Sequence, residues 1–231
     1  MELPPLTMVP MTTDDSVPVA RAERRALCDT FLELGPAAPT LCHPWLTREL
    51  AAHLVLRERR PDLAAGMWVR PLKGHLERGQ ARIADSAWTQ LVDTVRDGPP
   101  WWTPMHFAKV DALVNTSEFV IHHEDVLRGD GAVGPRGALW HLAARAVLSV
   151  LRSGASVMVR RSPVGVRLVA PGAEPISAGP KAAVAAGRVV TVTGEPVELL
   201  LLAAGRIRVA DVVLDGAPED VLALKGASLG V

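Results

Sequence analysis

Residues Val19, Ala22, Ala26, Leu27, Thr30, Phe31 and Leu34 recur at intervals of three and four. That spacing puts them on one face of a helix running from Val19 to Leu34. Gly35-Pro36 stops it, since proline cannot continue a helix and glycine closes one readily. Pro39 to Trp45 reads as a loop. Thr47 reads as an N-cap for a helix from Arg48 to Arg60, ended by Pro61. Residues 62 to 82 carry breakers at Gly66, Pro71, Gly74 and Gly79, and divide between helix and loop. The next helix is expected over Ile83 to Arg96, closed by Gly98-Pro99-Pro100, and Trp101 to Pro104 form a loop. Phe107 to Leu127 reads as a long helix, apolar over most of its circumference and therefore buried among its neighbours. Long helices with short connections suggest an antiparallel four-helix bundle.

The pattern changes after the glycines at 129, 131 and 134. Arg136 to Leu151 reads as a helix. Ser156 to Arg161, Val164 to Ala170, Arg188 to Thr193 and Ile207 to Leu214 are rich in β-branched residues and read as strands. Residues 171 to 187 are rich in Gly, Ala and Pro. Helices are expected from Pro196 to Ala204, where proline sits in the first turn, and from Pro218 to Leu224. The fold class is α+β, with a disordered leader at 1–18, a helical domain at 19–132 and a small mixed domain at 133–231. Met8 and Met11 are alternative starts.

With 231 residues the chain can bury a substantial core, and 48% hydrophobic content suits a folded soluble protein. A formal net charge of zero gives no basic field for nucleic acid or anionic lipid. No apolar run is long enough to span a bilayer, and Met1-Glu2-Leu3-Pro4-Pro5 does not resemble a signal peptide. Two cysteines, Cys28 and Cys42, make no disulfide framework, so the cytoplasm is the expected compartment. Arginine far outnumbers lysine, a bias of GC-rich coding and not a binding signal. Serine nucleophile elbows, P-loops and dinucleotide glycine fingerprints are absent from the sequence.

Candidate chemistry lies on the long helix. At about 100° per residue, Asp111, Asn115, Glu118, His122 and Asp125 fall within roughly 80° of one another. A polar stripe on a buried helix needs a partner, because an unpaired buried carboxylate is costly. A divalent cation would serve, and so would a cationic side chain from a facing helix. His53, flanked by Leu50, Leu54 and Leu56, offers an imidazole from a second apolar helix. Two histidines and a glutamate would make a three-ligand site with open positions, as catalytic metals need. A buried ion-pair network, or a histidine satisfied within the core, is the plainer alternative.

His123 and Glu124 point about 140° and 120° away from Glu118, and read as surface or supporting residues. Asp125 is placed to hold the outer nitrogen of His122 or to cap the helix. Cys42 and His43 adjoin in a loop, where neighbouring residues rarely both face one metal. His75 and His106 fall in breaker-rich, exposed segments.

Cys28-Asp29-Thr30-Phe31, Trp45 through His53-Leu54, and Glu118-Phe-Val-Ile-His122-His123-Glu124-Asp125 resemble the actinobacterial DinB-like metal-binding proteins related to mycothiol-dependent maleylpyruvate isomerase. Val190 to Leu200, with Gly205-Arg206 and Val213 to Gly216, is similar to the sterol-carrier-protein-like domain that follows the bundle in such isomerases. The resemblance covers nearly the whole chain after residue 18. It implies a four-helix bundle holding a divalent metal, commonly zinc, through His53, Glu118 and His122. It also implies mycothiol as a thiol cosubstrate.

The expected function is therefore that of a divalent-metal-binding protein, a mycothiol-dependent isomerase or S-transferase. Its partners would be a small-molecule thiol and an electrophilic substrate, the chain being a monomer or homodimer. Zn2+ is the leading metal, with Ni2+, cobalt, iron or manganese compatible with two histidines and a carboxylate. Arg57 and Arg128 are candidates for holding a substrate carboxylate. The alternative is a non-catalytic metal- or small-molecule-binding module.

Overall fold

Helix α1 (Ser16–Leu34) is built on the apolar face traced from Val19 to Leu34, and starts ahead of it. The computed structural model describes residues 16–64, 66, 69–103, 106, 108–131 and 139–230, with the backbone alone for 16–18, 70, 108–113 and 139–142. Most of the expected leader and the expected boundary at 132 lie outside the described residues. The chain divides into two compact units, the first spanning Ser16–Arg136 and the second containing Gly137–Val231.

In the first unit Gly35 takes φ +77°, a conformation that costs glycine little, and its N–H closes α1 on Phe31 O at 2.9 Å. Helix α2 (Thr47–Arg59) follows. Thr47 is its first helical residue and not its cap. The Thr47 hydroxyl donates to Gly35 O at 2.6 Å, while Glu49 accepts the Leu46 N–H at 2.9 Å. The breaker-rich stretch yields α3 (Pro61–Ala64), a 3-10 turn at Arg70–Leu72 and α4 (Lys73–Ala84).

The single helix expected over Ile83 to Arg96 is in fact two elements. Helix α4 ends at Ala84 and α5 (Trp88–Asp97) begins after a turn in which Asp85 and Ser86 N–H groups bond back to Ala81 and Ile83. The apolar spacing of Leu91, Val92 and Val95 belongs to α5 alone, and Ile83 packs against the same core from the end of α4. Helix α6 (Ala108–Leu127) is the long helix.

Leu27, Cys28 and Phe31 of α1, Leu50, Ala51 and Leu54 of α2, Leu91, Val92 and Val95 of α5, and Phe119 and Val126 of α6 form one core. Helix α1 packs on α6 and α5, and α2 on α4 and α5. One buried ion pair crosses this core. Arg24 donates to both Glu58 oxygens at 2.7 and 2.6 Å and lies 4.2 Å over the Phe119 ring.

In the second unit α7 (Leu139–Met158) runs further than expected. The strand read over Ser156 to Arg161 is absent. Leu151, Ala155 and Val159 are buried at intervals of four, so helical periodicity carries the segment despite its β-branched residues. The sheet has the order β2-β1-β3-β4. Strand β1 (Gly165–Val169) pairs antiparallel with β2 (Ile176–Ala178) and parallel with β3 (Val189–Thr193). Helix α8 (Lys181–Ala185) lies between β2 and β3 in sequence. Neither β2 nor α8 was legible in the Gly, Ala and Pro composition of 171–187.

The strand expected over Ile207 to Leu214 shrinks to β4 (Val213–Asp215), since Val209 and Ala210 N–H groups fold back on Arg206 O. Helix α9 (Pro196–Ala203) is buried along its whole length and packs on α7, and α10 (Pro218–Lys225) packs on β3. No described helix is long and apolar enough to cross a membrane.

Candidate metal centre

Helices α2 and α6 bring His53, Glu118 and His122 together. One donor atom from each lies within 4.8 Å of the others. His53 Nε2 is 3.5 Å from Glu118 Oε1, and His122 Nε2 is 3.2 Å from the same oxygen. Donors about 2.0–2.1 Å from one ion at tetrahedral angles stand about 3.3–3.4 Å apart, so this spacing fits a zinc-sized cation. The Glu118–His122 contact follows from their separation by one helical turn. His53 is aimed by packing: its ring lies 5.1 Å from that of Trp45 and 5.5 Å from that of His122. The side chains of His53 and Glu118 remain 14% and 23% exposed, so a solute can reach the donors.

A protein cation is also present. Arg57 Nε lies 3.3 Å from Glu118 Oε1. Its Nη1 donates to Asn115 Oδ1 at 2.5 Å and its Nη2 to Val114 O at 3.3 Å. Asn115 in turn donates to Glu58 Oε1 at 2.9 Å, which ties the site to the buried Arg24–Glu58 pair. Arg57 therefore acts on the site as a fixed charge, its nitrogens being turned to protein groups.

Burial alone would lift the Glu118 carboxyl, but Arg57 and the hydrogen bonds of His122 and His53 outweigh it and hold it well below the usual carboxylate range. Burial would lower His122, and bonds to Asp125, Cys42 and Glu118 reverse this and carry it well above the usual imidazole value. For His53 burial prevails and the value falls.

Asp125 Oδ2 stands 2.9 Å from His122 Nδ1, the supporting position its place one turn on implied. Cys42 comes from the loop before α2. Its Sγ lies 3.0 Å from Asp125 Oδ2 and 3.8 Å from His122 Nδ1. Cys42, His122 and Asp125 form a second cluster of donor atoms within 4.8 Å. Sequence reasoning set Cys42 aside because His43 adjoins it. The structure separates the two, with Cys42 turned toward α6 and His43 exposed. Spacing along the chain held no signal for a contact across 83 positions.

The loop is brought there by Gly129. A Cβ at this position would run into the Pro39 carbonyl, and Leu41 N–H donates to Asp125 O at 2.9 Å.

Other candidates stand apart. His75 and His106 are exposed. His123 and Glu124 do not share the Glu118 site, but they are buried and not on the surface. His123 Nδ1 meets Glu23 Oε2 at 3.0 Å and its Nε2 meets Thr30 Oγ1 at 3.1 Å, on the α1 side. Glu124 pairs with Arg128, which is itself buried and so does not offer a carboxylate clamp. The polar positions of α6 thus surround the helix and are not confined to a stripe. The side chain of Asp111 lies outside the described residues.

Fold and cluster together define a helical unit with a candidate three-ligand cation site, in a chain that also carries a small α+β unit. Two solved structures share this fold. One is a mycothiol-dependent maleylpyruvate isomerase, with TM-score 0.56 at 17% identity over 90% of this chain and 96% of that one. The other is a histidine-to-alanine mutant of a mycothiol-dependent maleylpyruvate isomerase, with TM-score 0.59 at 16% identity and the same coverage. At these identities the likeness is one of fold. No protein-family model matches the sequence, and no curated protein matches it.

Proposed function

We propose that His53, Glu118 and His122 hold a divalent metal, with zinc the best fit, and that the site serves thiol-dependent isomerisation or S-transfer. The observation that supports this most is the convergence of two imidazole nitrogens on one carboxylate oxygen, at 3.5 and 3.2 Å, in a partly exposed setting. When bound there, a metal would supply Lewis acidity that favours the thiolate of a low-molecular-weight thiol at neutral pH.

The chain's own residues set the conditions. His53 is kept neutral by burial and so remains a donor. Asp125 orients His122 by holding Nδ1, which leaves Nε2 aimed at Glu118. Arg57 cancels one of the two carboxylate charges of Glu118 and Asp125. With a divalent ion held there the cluster would be net positive, and anionic ligands such as a thiolate would be favoured over neutral ones. The two fold neighbours are mycothiol-dependent isomerases, and mycothiol is accordingly the first thiol to test. The second unit is proposed as a sterol-carrier-like domain.

A second reading has its own observation: Arg57 already gives Glu118 a cationic partner, as in a binding module or a plain ion-pair network. Elemental analysis of the untagged protein beside Glu118→Ala separates these. About one metal per chain in the parent, lost in the variant, supports the site. No metal in either, and no uptake of added zinc, overturns it. Turnover with mycothiol and an electrophile that survives chelation would overturn the metal's role in it, and bound metal with no turnover would leave the binding module as the better account.

A further inference from the structure

The donors on the far side of His122 are an assembled set of their own. Cys42 Sγ, His122 Nδ1 and Asp125 Oδ2 offer sulfur, nitrogen and oxygen with separations of 3.8, 3.0 and 2.9 Å. Around an ion with a metal–sulfur bond of about 2.3 Å and metal–nitrogen and metal–oxygen bonds of about 2.0 Å, the sulfur edges measure about 3.5 Å and the nitrogen–oxygen edge about 3.3 Å. Shifts of a few tenths of an ångström therefore convert the cluster into one face of a tetrahedron.

The cysteine loop is pinned where it must be. Cys42 N–H donates to Thr40 Oγ1 at 3.1 Å, Thr40 Oγ1 donates to Trp45 O at 2.7 Å, and Trp45 N–H donates to Cys42 O at 3.0 Å. Leu41 N–H fixes the loop to Asp125 O on α6. Cys42 is partly exposed, while His122 and Asp125 are buried behind it.

We propose that Cys42, His122 and Asp125 form a second cation site, selective for a thiophilic d10 ion of the zinc and cadmium class, which shares His122 with the first site and excludes it. Thiolate, imidazole and carboxylate together suit such an ion better than magnesium or calcium. The exclusion follows from the ring. An imidazole that gives Nδ1 to this site keeps its proton on Nε2, where Glu118 Oε1 at 3.2 Å accepts it. That nitrogen then has no lone pair for the first site. Binding releases the Cys42 thiol proton and the His122 Nδ1 proton to solvent, forms bonds from the ion to sulfur, nitrogen and oxygen, and changes no oxidation state.

The test is cadmium titration of the metal-free full chain, following thiolate-to-cadmium charge-transfer absorption in the ultraviolet. The band is expected in the parent and in Glu118→Gln, and is expected to vanish in Cys42→Ser. Because Glu118→Gln removes the first site, this result is independent of whether that site holds a metal. Absence of the band from the parent overturns the proposal. So does its persistence in Cys42→Ser, which would move it to Cys28, and so does its loss in Glu118→Gln, which would make the thiol part of the first site. Alkylation mapping of the parent gives a check without substitution: cadmium should protect Cys42 from iodoacetamide, and unchanged labelling would refute the site.

Discussion

Asp125 Oδ2 accepts from His122 Nδ1 at 2.9 Å, and both residues lie on α6 one turn apart. The contact fixes which imidazole nitrogen faces Glu118 and His53. Removing the charge while keeping the shape should loosen that choice. Asp125→Asn is expected to weaken zinc or cobalt binding at the first site by on the order of 10–100-fold, the usual cost of losing such a partner. Calorimetric titration of the metal-free protein measures it, and an unchanged affinity would show that packing alone orients the ring.

The same histidine predicts a pH dependence. Asp125, Cys42 and Glu118 hold the His122 value well above its ordinary one against the effect of burial. A proton on Nε2 competes with a cation there, so apparent affinity should fall by about tenfold per pH unit wherever His122 is protonated. The metal-free protein should respond in the opposite sense. A raised folded value contributes stability below about pH 6.5, the ordinary histidine value, and that contribution is lost as pH rises through the folded value. Melting curves should thus show the metal-free chain weakening from neutral toward alkaline pH, with metal abolishing the trend. A flat profile in both states would refute it.

Much of this site was legible in the sequence because helices make sequence distance into spatial distance. Glu118, His122 and Asp125 share a face through a local rule, and His53 was conspicuous as an imidazole among leucines. Cys42 was not legible, since its meeting with Asp125 depends on a loop seated against a glycine. His123 and Glu124 read as surface or supporting residues for a related reason. A helical wheel gives direction but not what lies in that direction, and α1 supplies Glu23 and Thr30 there. Strand errors have the same origin. Ser156 to Met158 contains valine, yet the burial of Leu151, Ala155 and Val159 on one face keeps the segment helical.

Arg57 is the protein's own competitor for Glu118, at 3.3 Å. A second positive charge so near a cation site lowers divalent affinity. Arg57→Met keeps much of the apolar stem and removes the charge. Zinc affinity is expected to rise by about tenfold, equivalent to about 1.4 kcal/mol. If a net positive site is what selects anionic ligands, binding of a thiolate or carboxylate to the loaded protein should weaken in the same variant. Weaker zinc binding instead would show that Arg57 chiefly holds Asn115 and the end of α2 in place.

The Arg24–Glu58 pair tests whether the network behind the site is structural. Both side chains are buried, and Glu58 accepts from Arg24 at 2.7 and 2.6 Å and from Asn115 at 2.9 Å. Arg24 also donates to Val95 O at 2.9 Å and stacks over Phe119. Removing the carboxylate leaves a guanidinium inside the core with its main counter-charge gone. Glu58→Ala should cost about 3–5 kcal/mol, the range for breaking a buried ion pair from one side. Replacing both partners with apolar residues, Arg24→Met with Glu58→Leu, should cost less than the single change, because no charge is then stranded. Urea unfolding of the single and double variants measures both. A double variant no more stable than Glu58→Ala would mean that the pair holds α1 and α2 in register and does more than satisfy two buried charges.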